Sequence, residues 1–166
     1  MIRALNDEEQ QRMLAACEDA VDRALLVGLL DTGMRVEEWC SVDGEAAIAA
    51  ARTGAFAVRG RLTPTSRRLT ALLAQRYAGE PVGSRLPLRP RTAAHRLRQV
   101  ARRAGLPTFT PAWLRLTFVR NALLSGVTEA SVRAALGSWP ASARRVALEV
   151  KRDGAGVVGE FKHAGW

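Results

Sequence analysis

Apolar positions along the chain recur mainly at three- and four-residue spacing, the interval of an amphipathic helix. The first such stretch is "NDEEQQRMLAAC". It opens on Asn6, with Glu9 three residues later, the pattern of a capping box. "EDAVDRALLVGLLDTG" predicts a second helix, apolar all round on its later turns and closed by Gly33. "RVEEWCSVD" predicts one or two further turns. The alanine-rich stretch from Gly44 to Arg52 fits no single pattern. "GAFAVRG" is the best strand candidate, short and bounded by glycines. A small antiparallel sheet is therefore expected near residues 42–60.

The rest of the chain reads as five more helices. "TPTSRRLTALLAQRYAG" has a Thr or Ser cap and a glycine stop. A proline- and glycine-bearing loop, "GEPVGSRLPLRP", follows. "RTAAHRLRQVARRAG" places Leu97, Val100, Ala101 and Ala104 on one face, and Arg91, Arg98 and Arg102 on another. "TPAWLRLTFVRNALLSG" has Thr110 as N-cap, Pro111 at the first helical position and Gly126 as stop. "TEASVRAALG" and "PASARRVALEVKRDG" complete the set. The fold class expected is mainly α with a small antiparallel sheet, in one domain over 1–152, with a glycine-rich tail over 153–166.

Composition narrows the class. The 166 residues are 48% hydrophobic, enough to build a core and too apolar for a disordered chain. No run of about 18 apolar residues suggests a membrane span. The N-terminus turns acidic at once and has no signal-peptide pattern. Cys17 and Cys40 have neither metal nor redox spacing, which reads as two buried free thiols in a reducing cytoplasm. No metal and no cofactor is expected.

The charge changes the picture more. The net charge is +9, and it is segregated. Residues 1–45 hold eleven acids and four arginines, while residues 59–103 hold twelve arginines and one acid, Glu80. Genomic base composition is the alternative explanation for arginine outnumbering lysine by 23 to 2. It does not explain why acids avoid the middle third. Such a block suits a polyanion, most simply double-stranded DNA.

Three segments, in order, carry a resemblance. "LLVGLLDTGMRVEEWCSVD" has a helix ending in T-G-x-R-x-x-E. "TPTSRRLTALL" follows the strand region. "TPAWLRLTFVRNALLSGVTEASVRAALGS" is similar to a motif written S-P-H-x-L-R-H-T-F, then a helix, a glycine, a short helix and L-G-H. Together they resemble the catalytic domain of tyrosine recombinases, the phage integrase family, over roughly residues 5–150. The resemblance covers only the catalytic half of that family, without its separate N-terminal DNA-clamping domain. It implies that Arg35 and Arg115 match the two arginines that grip the phosphate under attack. Forked donors suit the non-bridging oxygens of such a group. The alternative for both is ordinary helix-end arginines paired with Glu37 or Glu38.

The pattern breaks where the rest of the chemistry belongs. The position of the nucleophilic tyrosine falls at or near Ala147, and Tyr77 is the sole tyrosine. The motif histidines fall on Ala112 and Leu116, and the residue after L-G on Ser138, with Trp139 next to it. Lysine occurs only at 151 and 162, so the family's hairpin lysine has no counterpart. Arg59 or Arg61 stands near its place, and an arginine is a poor general acid. Ser138 and Ser142 lack an evident base, and His95 reads as solvated or DNA-facing.

The sequence therefore leads to a DNA-binding protein with a recombinase-like fold and no strand cleavage: an accessory, regulatory or repair factor, located in the cytoplasm with the nucleoid. Its expected DNA contacts are Arg35, Arg59, Arg61, Arg67, Arg91, Arg98, Arg102 and Arg115, with Arg35 and Arg115 as vestiges of a catalytic pair. The alternatives are an active recombinase with an atypical or trans-supplied nucleophile, and a protein-interaction module. Trp166, at the end of the tail, suggests self-association.

Overall fold

The computed structural model describes residues 1–78 and 88–154. Among these the chain forms nine helices and one hairpin: α1 (Asp7–Ala15), α2 (Ala20–Thr32), α3 (Val36–Cys40), α4 (Gly44–Thr53), β1 (Ala55–Val58), β2 (Arg61–Pro64), α5 (Arg67–Tyr77), α6 (Pro90–Arg103), α7 (Ala112–Leu124), α8 (Glu129–Leu136) and α9 (Ala141–Asp153). The tail beyond Gly154, with His163 and Trp166, and most of the loop after α5 lie outside the described residues.

Helix α2 is the axis of the larger core. Every residue from Ala24 to Thr32 is buried, which its unbroken apolar run requires. It packs against α5, α6, α7 and α3. Trp39 of α3 lies fully buried beside it. A Cβ on Gly28 would sit 2.3 Å from the Trp39 ring, so the glycine is what admits the indole. Phe56 of β1 meets that ring edge-on, with centroids 6.1 Å apart. Burying side chains of this size is worth roughly 1.5–3 kcal/mol each.

A second core is built by α7, α8 and α9 around Phe118, Val119, Val132, Leu136 and Val146. Helix α7 joins the two: Trp113 and Leu114 belong to the first core, Leu116 and Phe118 to the second. That dual burial explains why α7 shows no amphipathic stripe in the sequence.

The expected caps are present, with instructive exceptions. Asn6 and Glu9 form the capping box of α1. Ser66, not a threonine, caps α5 through the Leu69 N–H. The ambiguous stretch after Gly44 is a helix, because Asp43 accepts from the Ala46 N–H and caps it. The sheet is accordingly displaced toward the C-terminus, to residues 55–64, as a hairpin with Val58 opposite Arg61. Thr110 does not cap α7 through its side chain. The Trp113 and Leu114 N–H groups bond to the Thr110 and Pro111 carbonyls, so the helix enters through a tight three-residue turn.

Candidate functional site

The site begins at the end of α2. Thr32 donates its hydroxyl to the Gly28 carbonyl at 2.6 Å and accepts from the Met34 N–H at 3.2 Å. Gly33 then turns the chain with φ +65°, a conformation costly for any residue with a Cβ. A Cβ there would also lie 2.5 Å from the Phe118 ring. Arg35 follows as the N-cap of α3 in extended backbone. Its N–H is received by Glu38 Oε2 at 2.9 Å. Its side chain is exposed and has no ion pair or hydrogen bond among the described residues.

Arg115 arrives from α7. Nη1 donates to the Gly33 carbonyl at 2.5 Å, and Nη2 to the Leu136 carbonyl at 2.8 Å and the Ser138 hydroxyl at 3.0 Å. The residue that follows L-G in the short helix motif is thus tied directly to the second arginine. Burial, and then the charges of Arg35 and Arg61, pull the Arg115 pKa down to about 10 against the attraction of Glu38. Arg115 stays protonated at neutral pH, but in a place where positive charge is in excess and an added anion would be favoured.

Glu38 is the one carboxylate in this group. Its side chain is nearly fully enclosed, and Arg61 of β2 forks onto both oxygens at 3.0 and 2.8 Å. Arg61 Nε also donates to the Ala135 carbonyl at 2.8 Å, linking hairpin, α3 and α8. Burial alone would raise the Glu38 pKa. The Arg61 hydrogen bonds, the Arg35 N–H and the charges of Arg61 and Arg115 outweigh it and hold the carboxyl below its ordinary value. Arg59 stands at the hairpin turn with φ +46°, its Nε 4.0 Å from Glu38 Oε1 and its side chain largely exposed.

The remaining expected contacts divide by helix. Arg67, at the start of α5, is exposed and unpaired among the described residues. So are Arg91, Arg98 and Arg102 on α6. Other arginines of that basic block serve the fold. Arg96 binds Asp19 and Asp22, and Arg103 binds Asp22 and the Ala16 carbonyl, fastening α6 to the start of α2. Arg68 forks onto Asp31, which also receives the Ser66 hydroxyl. His95 is exposed, beside Gln99.

The positions that the resemblance ties to cleavage chemistry fall partly in the core and partly at the surface. Ala147 is buried on α9. Ala112 is exposed and Leu116 buried. Tyr77 is buried at the C-terminal end of α5, in a cleft with Ala47, Ile48 and Leu73. The opposite end of α5 is the one held to α2 by Arg68 and Asp31. Nine residues of helix rise roughly 13 Å between Arg68 and Tyr77. Trp39 and Trp113 both fill the core. Of the two cysteines, Cys40 is buried as expected, whereas Cys17 is half-exposed, because it lies just past the end of α1.

Sequence reading missed two features. One is the Asp31–Ser66–Arg68 network, though an acid within "LLDTG" is a visible signal, since a buried carboxylate needs a partner. The other is that Glu38 serves Arg61 rather than the guanidinium of Arg35 or Arg115. No local pattern links positions 38 and 61.

The fold defined by this helical frame, hairpin and arginine site is recombinase-like, a mostly helical domain with a small antiparallel sheet. Among solved structures the chain is similar to XerA recombinase, with a TM-score of 0.72 and 20% sequence identity, over 92% of this chain and 64% of that one. The chain therefore spans somewhat less than two thirds of that protein's length. No family model matches the sequence, and no curated protein matches it.

Proposed function

We propose that this protein binds double-stranded DNA through backbone phosphates and does not cleave it. The observation that carries the reading is that Arg115 bonds the Gly33 carbonyl, two residues before Arg35, while the Arg35 guanidinium has no partner among the described residues. One phosphate there would receive forked donors from Arg35 and the outer edge of Arg115, and would relieve the crowding of positive charge. Arg59, Arg67, Arg91, Arg98 and Arg102 are exposed cations that would extend the contact along the duplex. Arg61 faces inward and contributes to the field more than to direct contact. The protein acts as an accessory, regulatory or repair factor, in a cytoplasmic, nucleoid-associated setting.

The identity of the residues at the positions that the resemblance assigns to cleavage supports the absence of cleavage. Transesterification needs a nucleophile in line with the phosphorus and an acid for the leaving 5′ oxygen. Ala147 offers neither, and Tyr77 sits at the far end of α5. Arg115, even with its lowered pKa, holds its proton at neutral pH. Nothing observed favours the recombinase alternative, and the unpaired arginines favour nucleic acid over a purely protein partner.

A nicked suicide substrate, incubated with the protein under conditions where mobility shift shows binding, tests both halves. The expected result is a shifted complex without a covalent adduct. A trapped adduct lost in Tyr77→Phe would restore an enzyme, and no shift at low salt would remove DNA binding.

A further inference from the structure

Four arginines gather around a single buried carboxylate, and they do not share it equally. Arg61 occupies both oxygens of Glu38, while the Arg35 backbone takes a further lone pair on Oε2. Arg59 only approaches, at 4.0 Å. Arg115 points its donors at carbonyls and Ser138 instead. Arg61 is itself committed on every side. Its Nε binds the Ala135 carbonyl, its side chain is 13% exposed, and its stem runs where a Cβ on Gly137 would lie 2.7 Å away.

A buried carboxylate without a partner recruits the nearest cation, because its desolvation is otherwise uncompensated. Here the nearest alternative is Arg59, its Nε 4.0 Å from Glu38 Oε1, and the Arg115 charge also acts on Glu38. We propose that Arg61 is a positioning residue that saturates Glu38 and so keeps Arg59 and the neighbouring Arg115 and Arg35 available for a phosphate. Glu38 can then order the Arg35 backbone through its N–H without neutralising the Arg35 side chain. This rests on the DNA-phosphate reading above and adds to it the device that keeps the anion site open.

The role makes an unusual demand on double substitution. Arg61→Met keeps the aliphatic stem against Gly137 but strands the Glu38 charge, which then draws Arg59, or the neighbouring Arg115 or Arg35, onto itself. Adding Glu38→Gln removes the charge that does the drawing, while the amide oxygen still accepts the Arg35 N–H. The experiment is equilibrium binding of a fluorescent duplex to wild type, Arg61→Met, Glu38→Gln and the double variant, with circular dichroism confirming folding. Arg61→Met should weaken binding about tenfold, on the scale of losing a phosphate contact, and the double variant should recover to within about twofold of wild type.

If the double variant stays as weak as Arg61→Met, Arg61 either touches DNA itself or only supports the fold, and the inference is wrong. Unchanged binding by Arg61→Met also overturns it. Should Arg61→Met fail to fold, Glu38→Gln decides alone: binding at least as tight as wild type supports the role, and weaker binding contradicts it. Wild-type protein that binds no duplex at all would instead remove the phosphate reading, and this one with it.

Discussion

Arg115 donates a 2.5 Å hydrogen bond to the carbonyl of Gly33, 82 positions earlier in the chain. That bond fixes the second arginine motif against the first. It requires the left-handed turn at Gly33, the Phe118 ring beneath it, and the α7 register that sends Arg115 outward between Leu114 and Leu116. The placement of Arg115 is therefore a consequence of how the two cores are joined.

Gly33→Ala tests that junction. The added Cβ meets Phe118 and forces a non-glycine residue into φ +65°. The two penalties together should cost about 2–4 kcal/mol. Urea unfolding should show a lower midpoint with little change in slope. A cost below about 0.5 kcal/mol would mean that the turn tolerates a side chain.

The basic block should split into two functional classes. Reversing Arg98 and Arg102 to glutamate should weaken binding to every duplex tested and leave the unfolding midpoint nearly unchanged. Replacing Arg96 and Arg103 with alanine should do the opposite. It strands the buried Asp22 and should lower stability by roughly 1–2 kcal/mol, since both arginines are partly solvated. Equal effects of the two pairs on affinity would dissolve the distinction.

Much of this was legible in the sequence, and the reasons are local. Asn6 stands where a helix begins, and Gly33 where one ends. Those signals act within four residues, so they survive reading without a structure. The arginine pair was visible only through the resemblance, because no spacing rule connects positions 35 and 115. The Glu38–Arg61 and Asp31–Arg68 pairs were not visible at all: each joins elements whose contact depends on the packing of α2, the hairpin and α5. The sheet was placed too early because alanine-rich residues 44–53 satisfy neither period strongly, and a single capping aspartate decided the matter.

Acid should unfold the protein partly through Glu38. Its folded pKa lies below the ordinary 4.5, so the folded state binds fewer protons than the unfolded one there. The stability it supplies is complete above that ordinary value and is lost as pH falls through the depressed folded value. Glu38→Gln should therefore show a shallower loss of stability between about pH 5 and pH 3. A slope identical to wild type would mean that Glu38 does not titrate with folding.

Both thiols should be sluggish. Burial pushes Cys17 and Cys40 up to about 11, leaving little thiolate at neutral pH. Alkylation in the native state should be slower than in the unfolded chain, with Cys17 reacting before Cys40 because it is less enclosed. Mass spectrometry of time points gives the order, and faster labelling of Cys40 would contradict the packing around α3.

The central claim is that a DNA phosphate sits on Arg35 beside Arg115. Its most direct test is the salt dependence of duplex affinity for wild type and Arg35→Ala. Loss of one phosphate contact should weaken binding at low salt and reduce the slope of log K against log salt by about 1, for any sequence tested. A variant with wild-type affinity and an unchanged slope would show that Arg35 touches no phosphate, and the account would fail at its centre.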